Sequence, residues 1–280
     1  MLNRQRILLY LILALKNQNK HITKTFLDKL LFLLKKEYAI GELIKFYNFY
    51  PYRYGPFSSQ FYLDLNDAKS RGFLDDEFNL SENGIQVAKT VSDSEQEMIE
   101  DLIKRFNSNN IRNYVYQKYP EYAIKSLLKS EEMETKAPGI FSIGYEQKDI
   151  DAFLDILIQN KIEVLVDVRA NPFSMNFSFT KFKLAHSLKK VQIEYLHIPE
   201  LGIKKEYRKR LRTVSDYTRL FEFYKEDLLP KQMDKVRMLG KLGKEKRITL
   251  MCFESDKDHC HRGVLSEKLE ELYNLQVTHL

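Results

Sequence analysis

The stretch GIFSIGYEQKDIDAFLDILIQNKIEVLVDVR, residues 139–169, decides the fold class of this chain. Its first six residues are apolar or small, as in a buried strand, and the run over 162–169 is apolar over 164–166 and again at Val168. Between the two runs, Asp149 can cap a helix over 150–159, whose apolar residues recur at helical spacing. A strand, a helix and a strand within about thirty residues predict parallel pairing and a right-handed crossover.

The same alternation continues to residue 280. We expect further helices over 180–190, 216–228 and 263–273, and further strands over 194–198, 248–253 and 277–280. Alternating strands and helices are typical of an α/β layer architecture. We therefore expect a Rossmann-like α/β domain over 138–280, with a parallel or mixed sheet and helices on both faces.

Polar and small residues follow the predicted strands. The candidate catalytic residues are Asp167, Glu254 and Cys260, and the candidate substrate- or anion-binding residues are Gly144, Tyr145, Arg169, Ser174, His261 and Arg262. Because the carboxyl ends of parallel strands meet at one edge of a sheet, we expect these loops to converge. In particular, Asp167, Arg169, Glu254 and Arg262 are expected to share one cleft.

Asp167 and Arg169 alternate on one predicted strand, so their side chains face the same side of the sheet. Asp167 is a candidate base or ribose-binding acid, and Arg169 a candidate clamp for an anion. A buried ion pair that holds the strand end is the structural alternative. The sequence leaves both open.

The chain has only two cysteines, Cys252 and Cys260, and both lie near the last predicted helix. Cys260 is a candidate nucleophile, because a helix start beside His261 and Arg262 lowers a thiol pKa. Zinc binding through the two thiols, His259 and His261 is a second possibility, although the spacing is not that of a zinc knuckle. Packing of both cysteines in the core is the third.

Glu254 follows Cys252 by two residues, at the open end of the predicted strand. It is either a catalytic carboxylate or the ion-pair partner of Arg169 or Arg262. A guanidinium at a helix start opposes the helix dipole. Arg262 is therefore expected to bind an anion or a carboxylate.

Four strings in this region carry a family resemblance. They are SIGY (142–145), VDVRANPFS (166–174), IEYLHIPELG (193–202), and CFE followed by CHR (252–254 and 260–262). In this order they resemble the hallmark strings of the domain-of-unknown-function family 488, from about residue 139 onward. The resemblance implies the fold but little about the reaction. Family members often have Gly-His where this chain has Gly144-Tyr145, so no imidazole role is carried over there.

Residues 1–90 are expected to form a small winged-helix-like helical domain. We expect helices over 4–17, 24–34, 60–71 and 81–88, a strand over 44–50, a turn-rich link over 51–58 and a hairpin over 73–80. The stretch FYNFYPYRYGPFS (46–58) resembles YwgA-like and SocA-type antitoxin families of bacteria. A structural turn with packed tyrosines is the alternative. Residues 91–137 are expected to be a helical linker.

The formal net charge is +6, and residues 181–212 hold ten lysines and arginines against three glutamates. This segment therefore accounts for the whole excess. Aromatic residues are interleaved with its cations, as in surfaces that contact a nucleic-acid backbone. Lys204, Lys205, Lys209 and Arg210 are the candidate contacts, and a solvated face is the alternative.

These features favour a hydrolase that acts on a nucleotide or nucleic acid, at a phosphodiester or N-glycosidic bond. Asp167, Glu254 and Cys260 are the candidate catalytic residues. The alternative is a DNA-binding or anion-sensing regulatory module of a prophage or defence system, without catalysis. Neither a Walker A motif nor Gly-x-Gly-x-x-Gly is present, which argues against classical NTPases and dinucleotide enzymes.

No cofactor is expected, with a divalent metal or zinc as the alternative. The partners expected are a nucleic acid or nucleotide, and a protein through residues 1–90. The apolar run over 7–15 is too short to span a bilayer and lacks the layout of a signal peptide. A cytoplasmic protein with reduced cysteines and no membrane contact is expected.

Overall fold

The fold is that of a computed structural model, which describes residues 1–125, 137–209 and 211–280. Arg210, a predicted nucleic-acid contact, lies outside the described residues, as does part of the predicted linker. The chain divides into two units, Met1–Met133 and Glu134–Leu280. Within the described ranges, no helix combines the length and the apolar character needed to cross a membrane.

The N-terminal unit is mainly helical. Its elements are α1 (Asn3–Asn17), α2 (Lys24–Glu37), α3 (Ile40–Leu43), β1 (Tyr50–Tyr52), β2 (Gly55–Phe57), α4 (Ser59–Ser70), α5 (Glu82–Ala88), α6 (Asp93–Arg105) and α7 (Ile111–Lys118). Thr23 caps α2 by accepting a hydrogen bond from the Phe26 amide, and Ser58 caps α4 in the same way. Both caps stabilise the helix start, because a hydroxyl satisfies a free amide in the first turn.

The predicted strand over 44–50 is wrong. Strand β1 begins only at Tyr50 and pairs with β2 in a short antiparallel hairpin, within the stretch expected to be a link. Phe46, Tyr47 and Phe49 are all buried, so these aromatic residues pack into the core instead of alternating between two faces. The predicted hairpin over 73–80 is reduced to one bridge between Leu74 and Leu80. The winged-helix arrangement therefore stays unconfirmed.

The core of the N-terminal unit extends beyond residue 90. Ile99 and Leu102 of α6 and Ile111 and Val115 of α7 are buried in the same hydrophobic cluster as α1 and α2. The described part of the predicted linker is thus helical but packs with this unit. Apolar residues at helical spacing need a surface to cover, and here the first two helices supply it.

The C-terminal unit is an α/β domain. Its elements are β3 (Gly139–Gly144), α8 (Ile150–Gln159), β4 (Val164–Asp167), α9 (Lys181–Lys190), β5 (Glu194–His197), α10 (Val214–Phe223), α11 (Met233–Glu245), β6 (Arg247–Cys252), α12 (His261–Tyr273) and β7 (Thr278–His279). The strands form one parallel sheet in the order β5-β4-β6-β3-β7. The predicted fold class is confirmed for this unit.

One detail of the sheet differs from the prediction. Strands β3 and β4 are parallel but are not neighbours, because β6 pairs with both of them. The last long strand of the chain therefore lies at the centre of the sheet. It is apolar throughout most of its length, as expected of a strand that is covered on both faces.

The alternation of side chains separates the two faces of the sheet. Val166 and Val168 of the β4 segment and Leu250 and Cys252 of β6 share one hydrophobic cluster with α11 and α12. On the opposite face, Phe153 of α8 and Tyr145 both pack against Phe179. Helices thus flank both faces of the sheet, as predicted.

Candidate functional site

The loops after β4 and β6 meet at one edge of the sheet. Asp167 is in register with Met251 on the neighbouring parallel strand, so the two strands end side by side. Cys252 follows Met251 and therefore faces the opposite side from Asp167. The predicted single cleft is thus divided into two clusters that share an edge but lie on different faces. The sequence order could not reveal this, because it depends on the register between two distant strands.

The first cluster is centred on Asp167, which is fully buried. Its carboxylate accepts hydrogen bonds from the backbone amide of Arg169 at 3.1 Å, and from Arg169 Nε and Nη2 at 2.8 and 2.6 Å. The hydroxyl of Tyr195 donates a further bond at 2.7 Å. Burial and the nearby Asp167 raise the pKa of Tyr195 well above its ordinary value, so this hydroxyl keeps its proton. These bonds occupy the carboxylate that was predicted to act as a base.

Arg169 is bound on every side of its guanidinium. Beyond Asp167, it donates to the hydroxyl of Tyr145 at 2.9 Å and to the carbonyl of Phe179 at 3.0 Å. The Tyr145 ring stacks on Phe179 with centroids 4.3 Å apart. Arg169 and Tyr145, both predicted to bind an anion, therefore hold the strand end to the loop before α9. This geometry favours the structural alternative for the pair.

Arg262, like Arg169, makes hydrogen bonds that hold a loop in place. Its side chain is only 1 % exposed and donates to the carbonyls of Glu254 and Ser255, the latter at 2.7 Å. These bonds hold the loop between β6 and α12 against the helix start. Ser174, another predicted anion-binding residue, is buried in the loop after β4. Within the described part of the chain, no hydrogen bond joins its hydroxyl to the cysteines.

The second cluster brings together Cys252, Cys260 and His261, all of them buried. The sulfur atoms of Cys252 and Cys260 lie 3.8 and 3.9 Å from Nδ1 of His261. The other ring nitrogen, Nε2, is 3.1 Å from the carbonyl of Val168 and must donate to it. The opposite ring nitrogen, Nδ1, therefore faces both sulfurs. Neither cysteine forms a disulfide.

Glycine residues allow the loops to close around this cluster. A Cβ atom on Gly144 would lie 1.8 Å from the carbonyl oxygen of Glu254, so only glycine permits this approach of the β3 end to the β6 loop. Glu146 then accepts hydrogen bonds from the amide and the hydroxyl of Ser255, at 3.0 and 3.2 Å. The predicted site residue Gly144 thus acts through close packing of the backbone.

Glu254 lies at the exposed side of the second cluster. Its Oε2 atom accepts a hydrogen bond from the Cys252 thiol at 3.3 Å, and Oε1 is 4.0 Å from Nη1 of Arg208. The Glu254 side chain is 27 % exposed, so it connects the buried thiols to solvent. A groove of about 280 Å³ also opens beside Cys260. Its lining includes Phe221, Lys225, Lys257 and Val264.

The groups of the second cluster shift one another's pKa values. The hydrogen bond with Cys260 and the nearby His261 lower the pKa of the Cys252 thiol well below its ordinary value, although burial opposes this. Burial raises the pKa of Cys260, and the Cys252 sulfur raises it further. Burial also raises the pKa of the Glu254 carboxyl. Within the cluster, the pKa of Cys252 is therefore shifted downward and that of the predicted nucleophile Cys260 upward.

Arg208 and Cys252 are site residues that sequence reasoning did not select. Arg208 belongs to the basic run over 204–209, where Lys204, Lys205 and Lys209 are exposed as predicted for contacts with a polyanion. Its position among several cations was the only signal in the sequence. Cys252 was considered only as a possible zinc ligand or core residue, because its contact with His261 depends on how the intervening loop folds back.

His259 does not belong to the cluster. Its exposed ring pairs with Asp256, with Nδ1 2.9 Å from the carboxylate. Of the four side chains first considered as zinc ligands, three therefore converge and one faces solvent. The described residues Cys252, Cys260 and His261 form a compact set of sulfur and nitrogen atoms within 4.8 Å of one another.

Comparison with known proteins identifies the C-terminal unit. No curated protein and no solved structure matched the chain. The resemblance of residues 1–90 to antitoxin families stays a prediction. A family model described as Domain of unknown function DUF488 matches residues 149–269, a range that includes the entire cysteine and histidine cluster. This match confirms, for residues 149–269, the resemblance to the DUF488 family that the motifs predicted.

Proposed function

We propose that the C-terminal unit is a hydrolase that acts on a nucleotide or nucleic acid, at a phosphodiester or N-glycosidic bond. One observation carries the proposal: Arg208, on the exposed basic loop over 204–209, reaches to within 4.0 Å of the Glu254 carboxylate. A polyanion held by this loop would have its backbone beside a carboxylate and the buried thiol and imidazole groups. A cation and a carboxylate that meet at the edge of a parallel sheet are typical of an active site.

Hydrolysis needs a group that moves protons. Water adds its oxygen to the phosphorus or to the sugar carbon, and its proton leaves with the departing oxygen or base. Glu254 is positioned to accept the proton from water and to return it to the leaving group. Arg208 would face the anionic part of the substrate and stabilise charge that develops there. Asp167 is less suited to this role, because its oxygens already accept four hydrogen bonds.

The test is turnover by the full chain on labelled single-stranded DNA, duplex DNA, RNA and free nucleotides. Analysis of the products separates a cleaved backbone from a released base. We expect Glu254→Gln to lower kcat by about 100-fold or more, since it removes general acid and base catalysis. Arg208→Met should mainly raise KM. Glu206→Gln is the matched control, because Glu206 is an exposed carboxylate on the same basic loop.

Two results would contradict the hydrolase. One is a wild-type protein that turns over none of these substrates, and the other is a Glu254→Gln variant that is as active as the wild type. Tight binding without turnover would instead favour the regulatory module, in which the basic loop recognises an anion and no bond is broken.

A further inference from the structure

We infer that Cys252, Cys260 and His261 hold a zinc ion, with Glu254 beside the fourth coordination position. The inference of a zinc site is based on the geometry of these four side chains. Only its catalytic role rests on the proposed function.

The separations between the side chains are those of a tetrahedral zinc site. Zinc lies about 2.3 Å from thiolate sulfur and about 2.0–2.1 Å from imidazole nitrogen, so tetrahedral angles place sulfur and nitrogen ligands roughly 3.6 Å apart. The two sulfurs of the cluster are 3.8 and 3.9 Å from Nδ1 of His261. One cation can therefore contact all three atoms with little movement of the side chains.

The surroundings of His261 also fit a metal ligand. A histidine that binds a metal usually donates its other ring N–H to a carbonyl or a carboxylate, which fixes the tautomer. Here Nε2 of His261 donates to the Val168 carbonyl at 3.1 Å, while Nδ1 faces the thiols. The carbonyl belongs to the segment just after β4, so the central strands of the sheet orient the ring.

A bound metal ion accounts for this cluster better than a nucleophilic role or simple core packing does. A nucleophilic cysteine needs access to its substrate, yet Cys252 and Cys260 are each only 2 % exposed. Simple core packing would bury two thiols and an imidazole with only weak hydrogen bonds between them. A cation satisfies all of these groups at once. Sulfur and imidazole ligands in a tetrahedral arrangement favour zinc over magnesium or calcium.

The fourth position determines what the ion could do. Three protein ligands with a fourth position open to water are typical of catalytic zinc sites, whereas structural sites are closed by four protein ligands. Glu254 lies on the exposed side of the cluster, with Oε2 3.3 Å from the Cys252 sulfur. The same carboxylate that we propose as the proton carrier thus borders the position where zinc would bind water. When bound there, zinc would lower the pKa of that water.

The experiment measures zinc directly in the full chain. Protein purified without chelators is analysed by elemental mass spectrometry, and metal-free protein is titrated with zinc against a competing chelator. We expect stoichiometric zinc in the wild type and its loss from Cys252→Ser, Cys260→Ser and His261→Ala. His259→Ala is the matched control and should keep its zinc, since His259 faces solvent and pairs with Asp256. Cobalt in place of zinc should give thiolate charge-transfer bands and intense tetrahedral visible bands.

Wild-type protein that contains no zinc, and that takes up none when titrated, would overturn the inference. This titration decides the matter even if the ligand variants fail to fold. Zinc retained by His261→Ala at wild-type affinity would also overturn it. Zinc binding without hydrolysis would leave the site standing and contradict the proposed function. Undiminished hydrolysis by the zinc-free protein would leave the proposed function and the zinc site in place, and would contradict only the catalytic role of the ion.

Discussion

At the scale of single residues, close approach of two backbones shapes the site. Gly144 ends β3 where the carbonyl of Glu254 passes over it, and a Cβ atom there would overlap that oxygen. Backbone atoms cannot move aside as the end of a flexible side chain can. Gly139, at the other end of the same strand, has room, because a Cβ would lie 3.6 Å from the Phe141 ring.

We therefore expect Gly144→Ala to lower the free energy of unfolding by on the order of 2–4 kcal/mol, through displacement of the loop after β6. Gly139→Ala is the matched control and should change it by less than about 1 kcal/mol. Urea unfolding followed by circular dichroism measures both. Equal stability of the two variants would show that the loop does not lie over Gly144.

At the scale of elements, the connection between β6 and α12 determines whether the cluster forms. Cys252 ends the strand and Cys260 precedes the helix, so the loop between them must fold back to bring the sulfurs together. Arg262 holds it there through the carbonyls of Glu254 and Ser255. The helix start therefore carries a cation that binds its own preceding loop, in spite of the unfavourable dipole.

Arg262→Met should lower the free energy of unfolding by about 2–4 kcal/mol, because two loop carbonyls lose charged donors inside the protein. The matched control is Arg219→Met on α10. Its side chain is 70 % exposed and pairs with Asp216 and the Ser215 carbonyl, so a change of about 0.5 kcal/mol is expected. Denaturant titration compares the two. An Arg262→Met variant as stable as the control would show that Arg262 does not hold the loop between β6 and α12 in place.

At the scale of the whole molecule, the distribution of charge matters more than its total. The net charge of +6 is concentrated in residues 181–212, and Arg208 connects this segment to Glu254. A concentrated basic surface attracts polyanions at long range, and its effect falls as salt screens it.

If this surface binds a nucleic-acid backbone, reversing Lys204, Lys205 and Lys209 to Glu should weaken binding of all sequences alike. Each neutralised phosphate releases counterions, so affinity of the parent should fall steeply with salt. The slope should drop by about 0.9 for each duplex phosphate that the variant no longer neutralises. Fluorescence anisotropy over a series of salt concentrations measures both quantities.

The control for that experiment reverses Lys89, Lys104 and Lys231, which are exposed elsewhere on the chain. It changes the total charge by the same amount. Equal weakening by both triple variants would mean that only net charge matters, and unchanged binding by the first would make the segment a solvated face.

The sequence by itself determined the α/β class of the C-terminal unit, its resemblance to the DUF488 family and the edge of the sheet at which the polar loops meet. These follow from local patterns: the apolar runs over 139–144 and 162–169, the helix between them, and the strings that surround Asp167 and Cys260. Periodicity records which residues are apolar and at what spacing. It therefore predicts the elements well.

Only the tertiary structure decided which elements are neighbours and which face each side chain occupies. The insertion of β6 between β3 and β4 set the register of Asp167 with Met251, and so placed Cys252 on the other face. The approach of Arg208 to Glu254 depends likewise on residues far apart in the chain. Such pairings arise from burial and hydrogen bonding between distant segments, and a local pattern contains no information about its partner.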